Sequence, residues 1–147
     1  MTNEEFLNQK QFLEKEIAGL GYRIDQLRDE IQDLKAVGFE QKLFHSLPGD
    51  AAHVKTLNRI WELEEKQALR KCELQKLNQQ IDAGIDRMSD YVDQTLLRYR
   101  FVQCLPIRSI ARRMDMAKTT ADRKLKDAIS KFPMPLDPVT IANNELS

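Results

Sequence analysis

The chain is poor in residues that break, staple or bend a fold. Its 147 residues include five Gly, five Pro, two Cys and one Trp. So few breakers leave long stretches free to be helical. Nothing in their spacing pairs Cys72 with Cys104, which excludes a disulfide scaffold and suits a reducing compartment. No apolar run approaches the roughly 20 residues that span a bilayer. The acidic, polar stretch from Met1 to Glu5 is unlike a secretory signal, so the expected location is cytoplasmic, with no membrane partner. Gly-rich phosphate loops and GxSxG are both missing. His45, His53, Cys72 and Cys104 are the only soft-metal candidates, and they lie in separate segments without ligand spacing. Carboxylate pairs such as Glu64 and Glu65 fall on a charge-rich helical stretch. No enzyme, metal, cofactor or small-molecule substrate is legible.

Charge is abundant and balanced, with 23 Lys and Arg against 23 Asp and Glu. The balance is not local. From Arg98 to Lys131, ten basic residues face Asp115, Asp122 and Asp127, a net of +7, so the remainder carries −7. A basic segment beside an acidic body points to a polyanionic partner.

Apolar residues recur at helical rather than alternating spacing, so the expected fold class is all-α. From residue 3 to 37 the pattern is a heptad, with Ile17, Ile24 and Ile31 at a and Leu13, Leu20, Leu27 and Leu34 at d. Gly38 suits a C-cap. A loop over residues 38–49 then uses Pro48 and Gly49, and Asp50 suits the N-cap of a second long helix ending near Ala83. Such a connection makes the two helices antiparallel neighbours. The second helix carries two stripes. Val54, Leu57, Trp61, Ala68 and Cys72 form one; Ile60, Leu63, Leu74, Leu77 and Ile81 form the other. One stripe can pack on the first helix and leave the other for a second subunit. The candidate dimerisation residues are Ile17, Leu20, Ile24, Leu27, Ile31, Leu34, Leu74, Leu77 and Ile81. A parallel dimer, an antiparallel hairpin dimer, a higher oligomer and a monomeric hairpin all remain open.

Gly84 suggests a boundary, with Ser89 capping a helix that runs to about Val102. The expected organisation is a helical hairpin or coiled-coil arm over 1–84, a helix-turn-helix domain over 85–132, and an extended or disordered tail over 133–147. Pro133, Pro135 and Pro138 prevent that tail from continuing as helix.

Within the basic segment, Ile110, Ala111 and Met114 give one short helix an inward face, and Ala111 permits close approach. Asp115 and Met116 form the turn, where Asp tolerates positive φ better than most residues. A second helix turns Ala121, Leu125, Ala128 and Ile129 inward, and Pro106 pre-sets the start of the first. The outward residues Lys118, Thr119, Thr120, Asp122, Arg123 and Lys126 are the candidate base readers in a major groove. Arg108, Arg112, Arg113, Lys124 and Lys131 are the candidate phosphate contacts.

The stretch LRYRFVQCLPIRSIARRMDMAKTT, with Ala128 and Ile129 beyond it, resembles region 4 of bacterial sigma factors. It is more similar still to the C-terminal domain of ArpU/RinA-type phage late transcription regulators, which read LRYI-x-G-L-S-W-x-x-I-A-x-x-L-G-Y-S. The likeness covers Leu97 to Phe132, about a quarter of the chain. Cys104 stands for the first Gly, Pro106 for the capping Ser and Asp115 for the turn Gly, while Lys124 occupies a position that is often apolar. The resemblance implies a dimeric activator of phage or prophage late genes working alongside host RNA polymerase. Residues alone support sequence-selective binding of double-stranded DNA by a homodimer. Two other expectations stand beside it: a packaging factor like a small terminase subunit, and a sigma-like module that binds RNA polymerase rather than DNA.

Overall fold

A computed structural model describes residues 1–44 and 46–141, and side chains throughout these except over 33–52. All regular structure among the described residues is helical. Helix α1 spans Asn3–Phe44 and α2 spans Ser46–Asp86. Helix α3, Tyr91–Leu97, runs on into a π-helical segment, Arg98–Val102. Helices α4, Ile107–Arg113, and α5, Lys118–Lys131, complete the order. No helix among the described residues is long and apolar enough to cross a membrane.

Three local expectations give way. The loop over 38–49 is replaced by helix: α1 continues through Gly38, and α2 already contains Pro48, Gly49 and Asp50. A Pro in the first turn sacrifices no intrahelical bond. One Gly costs about 1 kcal/mol, too little to stop a long helix. His45 lies outside the described residues, as do 142–147 and the Leu34 side chain. Gly84 is likewise inside α2, not at its end. Finally, Asp90 rather than Ser89 caps α3: its Oδ1 accepts from Val92 N at 2.8 Å, and its backbone is extended at φ −95°.

The chain forms two compact units, Lys15–Cys72 and Met1–Glu14 with Glu73–Ser147. In the first, the heptad of α1 meets the Ile60 stripe of α2. Leu20, Ile24, Ile31, Ile60 and Leu63 are buried together, with Leu27 packed against them. The helices run antiparallel there, because Glu16 pairs with Arg70 at 3.2 Å while Arg28 pairs with Glu64. Gln67 also donates to Ile17 O at 3.1 Å. Val54, Leu57, Trp61, Ala68 and Cys72 stay exposed.

The second unit builds one core from both ends of the sequence. Phe6, Leu7 and Leu13 join Leu77, Ile81 and Ile85, and the same cluster takes in Leu96, Leu97, Phe101, Ile110, Leu125 and Phe132. Residues 133–141 lie extended on this core rather than away from it. Gln80 Nε2 donates to Asp137 O at 2.7 Å and its Oε1 accepts from Val139 N at 2.9 Å. Gln9 repeats the pattern two residues on, with Val139 O at 2.8 Å and Ile141 N at 3.0 Å. Each amide thus satisfies a donor and an acceptor that an extended backbone leaves open.

Most of the expected dimerisation residues are therefore taken up inside one chain. Leu20, Ile24, Ile31, Leu77 and Ile81 are buried, while Ile17, Leu27 and Leu74 are half-buried.

Candidate nucleic-acid interface

The π-helical segment fixes how the chain enters α4. Gln103 N donates to Arg98 O at 2.9 Å, closing a wider turn than an α-helix. Phe101 points into the core. The carbonyls that this ending frees are taken by Lys10, whose Nζ lies 2.7 Å from Phe101 O and 2.8 Å from Val102 O. Lys10 is only 6% exposed, and Glu14 stands 3.6 Å from its ammonium. A buried cation so placed donates to two carbonyls and has a carboxylate near enough to balance its charge. Cys104 then reverses the chain at φ 57°, and burial pushes its thiol above the usual range.

Helix α4 starts at Pro106, whose extended backbone at ψ 156° makes it the N-cap without a side-chain bond. It ends in a Schellman turn. Met116 N donates to Ala111 O at 3.0 Å and Asp115 N to Arg112 O at 3.3 Å, with Asp115 left-handed at φ 52°. Those bonds satisfy carbonyls at the helix end, and the left-handed residue between them is ordinarily Gly. Ala117 leads α5 in extended conformation, again without a side-chain cap. Ile110, Ala111, Ala121, Leu125 and Ala128 are buried; Met114 and Ile129 are half-buried. Leu125 rather than Lys124 faces inward, since Lys124 is exposed.

The outward side carries the candidate site residues. Lys118, Thr119, Asp122, Arg123 and Lys126 are exposed and Thr120 is half-buried; Arg108, Arg112, Arg113, Lys124 and Lys131 are exposed. Their partners divide them. Lys126 reaches Asp122 at 3.3 Å, one turn away. Lys131 lies between Asp127 at 3.1 Å and the largely buried Asp93 at 3.6 Å, which raises its pKa, chiefly through the Asp127 bond. The Arg113 guanidinium stands over the Tyr99 ring, 5.6 Å from its centre. Arg98 is claimed by Asp82 at 2.8 Å and by Asp86, and it too is raised, first by the Asp82 bond. Arg100 donates to Leu105 O at 3.1 Å.

Five cations remain: Arg108, Arg112, Lys118, Arg123 and Lys124, for which no carboxylate lies within 4.0 Å among the described residues. Their charge is uncompensated at short range. The Asp122–Lys126 pair costs little to open, because exposed i,i+4 pairs are worth about 0.3–0.5 kcal/mol. Lys131 is different, since it ties α5 to α3 through Asp93.

Sequence patterning had no means of finding the supporting residues. Lys10 is remote from Phe101 in sequence, and Asn3 donates to both Ile129 O and Phe132 O at 2.9 Å, closing the end of α5. A polar residue in an amphipathic helix carries no mark of such a partner. Comparison with protein-family models, with curated proteins and with solved structures found no match.

Proposed function

We propose that the chain is a sequence-selective regulator of transcription that binds double-stranded DNA as a homodimer. In this reading, α1 and α2 form a helical hairpin arm, and α4 and α5 form a helix-turn-helix whose second helix enters the major groove. The expected bounds of 1–84, 85–132 and 133–147 shift in this reading: the arm keeps residues 15–72, and residues 1–14 and 73–84 join the DNA-binding domain and the tail in one unit.

The observation that carries the reading is the set of five exposed, unpaired cations on α4 and α5. Surface cations with carboxylates nearby are ordinary, whereas a group left uncompensated favours a polyanion. Arg123 and Lys118 suit guanine, Asp122 suits a cytosine amino group once Lys126 releases it, and Thr119 and Thr120 suit a thymine methyl or a phosphate. Arg108, Arg112, Arg113 and Lys124 suit phosphates.

The resemblance to ArpU/RinA-type regulators supplies the setting: late genes of a phage or prophage, activated together with host RNA polymerase. Its support is local. The described non-glycine residues at positive φ are Cys104 and Asp115; counted from Ile110 and Ala111 these are positions at which those regulators carry Gly, with two residues more between Tyr99 and Cys104 than the family pattern has. Selecting bound duplexes from a random pool tests the reading. A recovered palindromic site supports it, and a pool with no enrichment contradicts it.

A further inference from the structure

One side of α2 in the Lys15–Cys72 unit has no partner among the described residues. Trp61 and Leu69 keep 61% and 62% of their surface exposed, Val54 54% and Leu57 38%. Ala68 and Cys72 are exposed on the same side. At 3.6 residues per turn these positions share one sector, about 27 Å long, opposite the buried Leu63. Single exposed apolar residues are normal, but several gathered on one helix side, an indole among them, mark an interaction surface.

We propose that a second copy of the chain docks on this stripe, its α2 running antiparallel to the first. This deepens the homodimer part of the proposed function and is independent of DNA binding. Charge and size choose both the occupant and the direction. Glu62 and Lys66 lie one turn apart on the same flank of the stripe. A two-fold axis between them sets each Glu62 opposite Lys66 of the second copy, twice. A parallel pair would carry Glu62 of the two copies to opposite sides of the interface, away from Lys66 of the other copy. Within the chain their contacts are long, 3.5 Å from Glu62 to Arg59 and 3.8 Å from Lys66 to Glu16, so both remain available. The same axis brings Trp61 against Ala68 of the second copy, large against small, where a parallel pair would stack indole on indole. Glu65 interrupts the stripe beside the axis and comes near Glu65 of the second copy, a repulsion that the two Glu62–Lys66 pairs and the apolar contacts offset.

Sedimentation equilibrium of the full chain tests the surface. The wild-type chain sediments as a dimer and Trp61→Glu as a monomer with unchanged helical circular dichroism. Glu62→Lys weakens dimerisation about tenfold by facing like charges, and adding Lys66→Glu restores it. Geometry has its own test in a Cys104→Ser background. Adding Val54→Cys gives an oxidised, covalent dimer through Cys72, while Cys72 alone does not cross-link. A monomeric wild type, a Trp61→Glu dimer or a direct Cys72–Cys72 bridge overturns the proposal. A monomer that still binds duplex DNA rejects this surface and leaves the DNA reading standing. A dimer that binds no duplex supports the surface and rejects that reading.

Discussion

The Phe132 ring lies against Gly84 so closely that a Cβ at Gly84 would stand 2.5 Å from its Cζ. Phe6 stacks on the same ring, with centroids 5.9 Å apart, and the ring is buried. Gly84 is therefore the site where α2 accepts the residue that ends α5, not a helix breaker. Gly84→Ala gains about 1 kcal/mol of helix propensity but forces the pinned ring aside, a strain of about 1–3 kcal/mol. Because the ring has little room to give, a net loss of stability is expected in urea denaturation. Gly19 supplies the contrast, since nothing lies within 4 Å of its Cβ position. Gly19→Ala is expected to stabilise the chain by about 1 kcal/mol.

Lys10 makes the first turns of α1 part of the unit that carries α4 and α5. Replacing it with Ala removes the charged donor from two carbonyls, and hydrogen bonds to charged groups contribute about 1.5–3 kcal/mol. Thermal melting should show that loss. A fragment of residues 85–147 lacks Phe6, Leu7, Leu13, Leu77 and Ile81 from the shared core. It is expected to give the circular dichroism of an unfolded chain, whereas a fold like the full chain's would contradict the shared core.

Asp115 holds a left-handed conformation at φ 52°, which costs an ordinary L-residue about 1–2 kcal/mol. Asp115→Gly should raise the melting temperature. Asp115→Asn keeps much of the tolerance for this conformation while removing a negative charge from beside the basic helices. On the proposed function, both variants bind duplex DNA more tightly at low salt, and only the Gly variant gains substantially in stability.

The division of basic residues can be read from binding titrations on matched and altered duplexes. Arg123→Ala is expected to cost about 1–3 kcal/mol and to relax preference at one base. Arg112→Ala should weaken all duplexes alike. Lys131→Ala should lower stability more than affinity, because its ammonium is already held by Asp127 and Asp93. Identical behaviour of the three would contradict these roles.

What the sequence made legible was periodicity. The Leu20, Ile24 and Ile31 heptad, the division of α2 between Ile60 and Trp61, and the inward Ala121, Leu125 and Ala128 all come from helical spacing, and burial matches them. Asp115 was legible because few residue types tolerate a left-handed turn. Contacts between distant positions were not. Nothing local distinguishes Lys10, Gln9 or Gln80 from solvated side chains, and Gly84 looks the same whether it ends a helix or admits a ring. The turn chemistry of Gly38 and Pro48 misled because a first-turn Pro and a single internal Gly are both tolerated within helices of 42 and 41 residues. The π-helical segment has no sequence signature of its own.

The most direct measurement of the proposed function is the salt dependence of duplex binding by the full chain, monitored by fluorescence anisotropy on a selected site. Each phosphate neutralised contributes a log–log slope of about −0.9. Engagement of the unpaired cations Arg108, Arg112, Lys118, Arg123 and Lys124 predicts a slope for each module of roughly −3 to −5. A flat response, or no binding to any duplex at low salt, would contradict it.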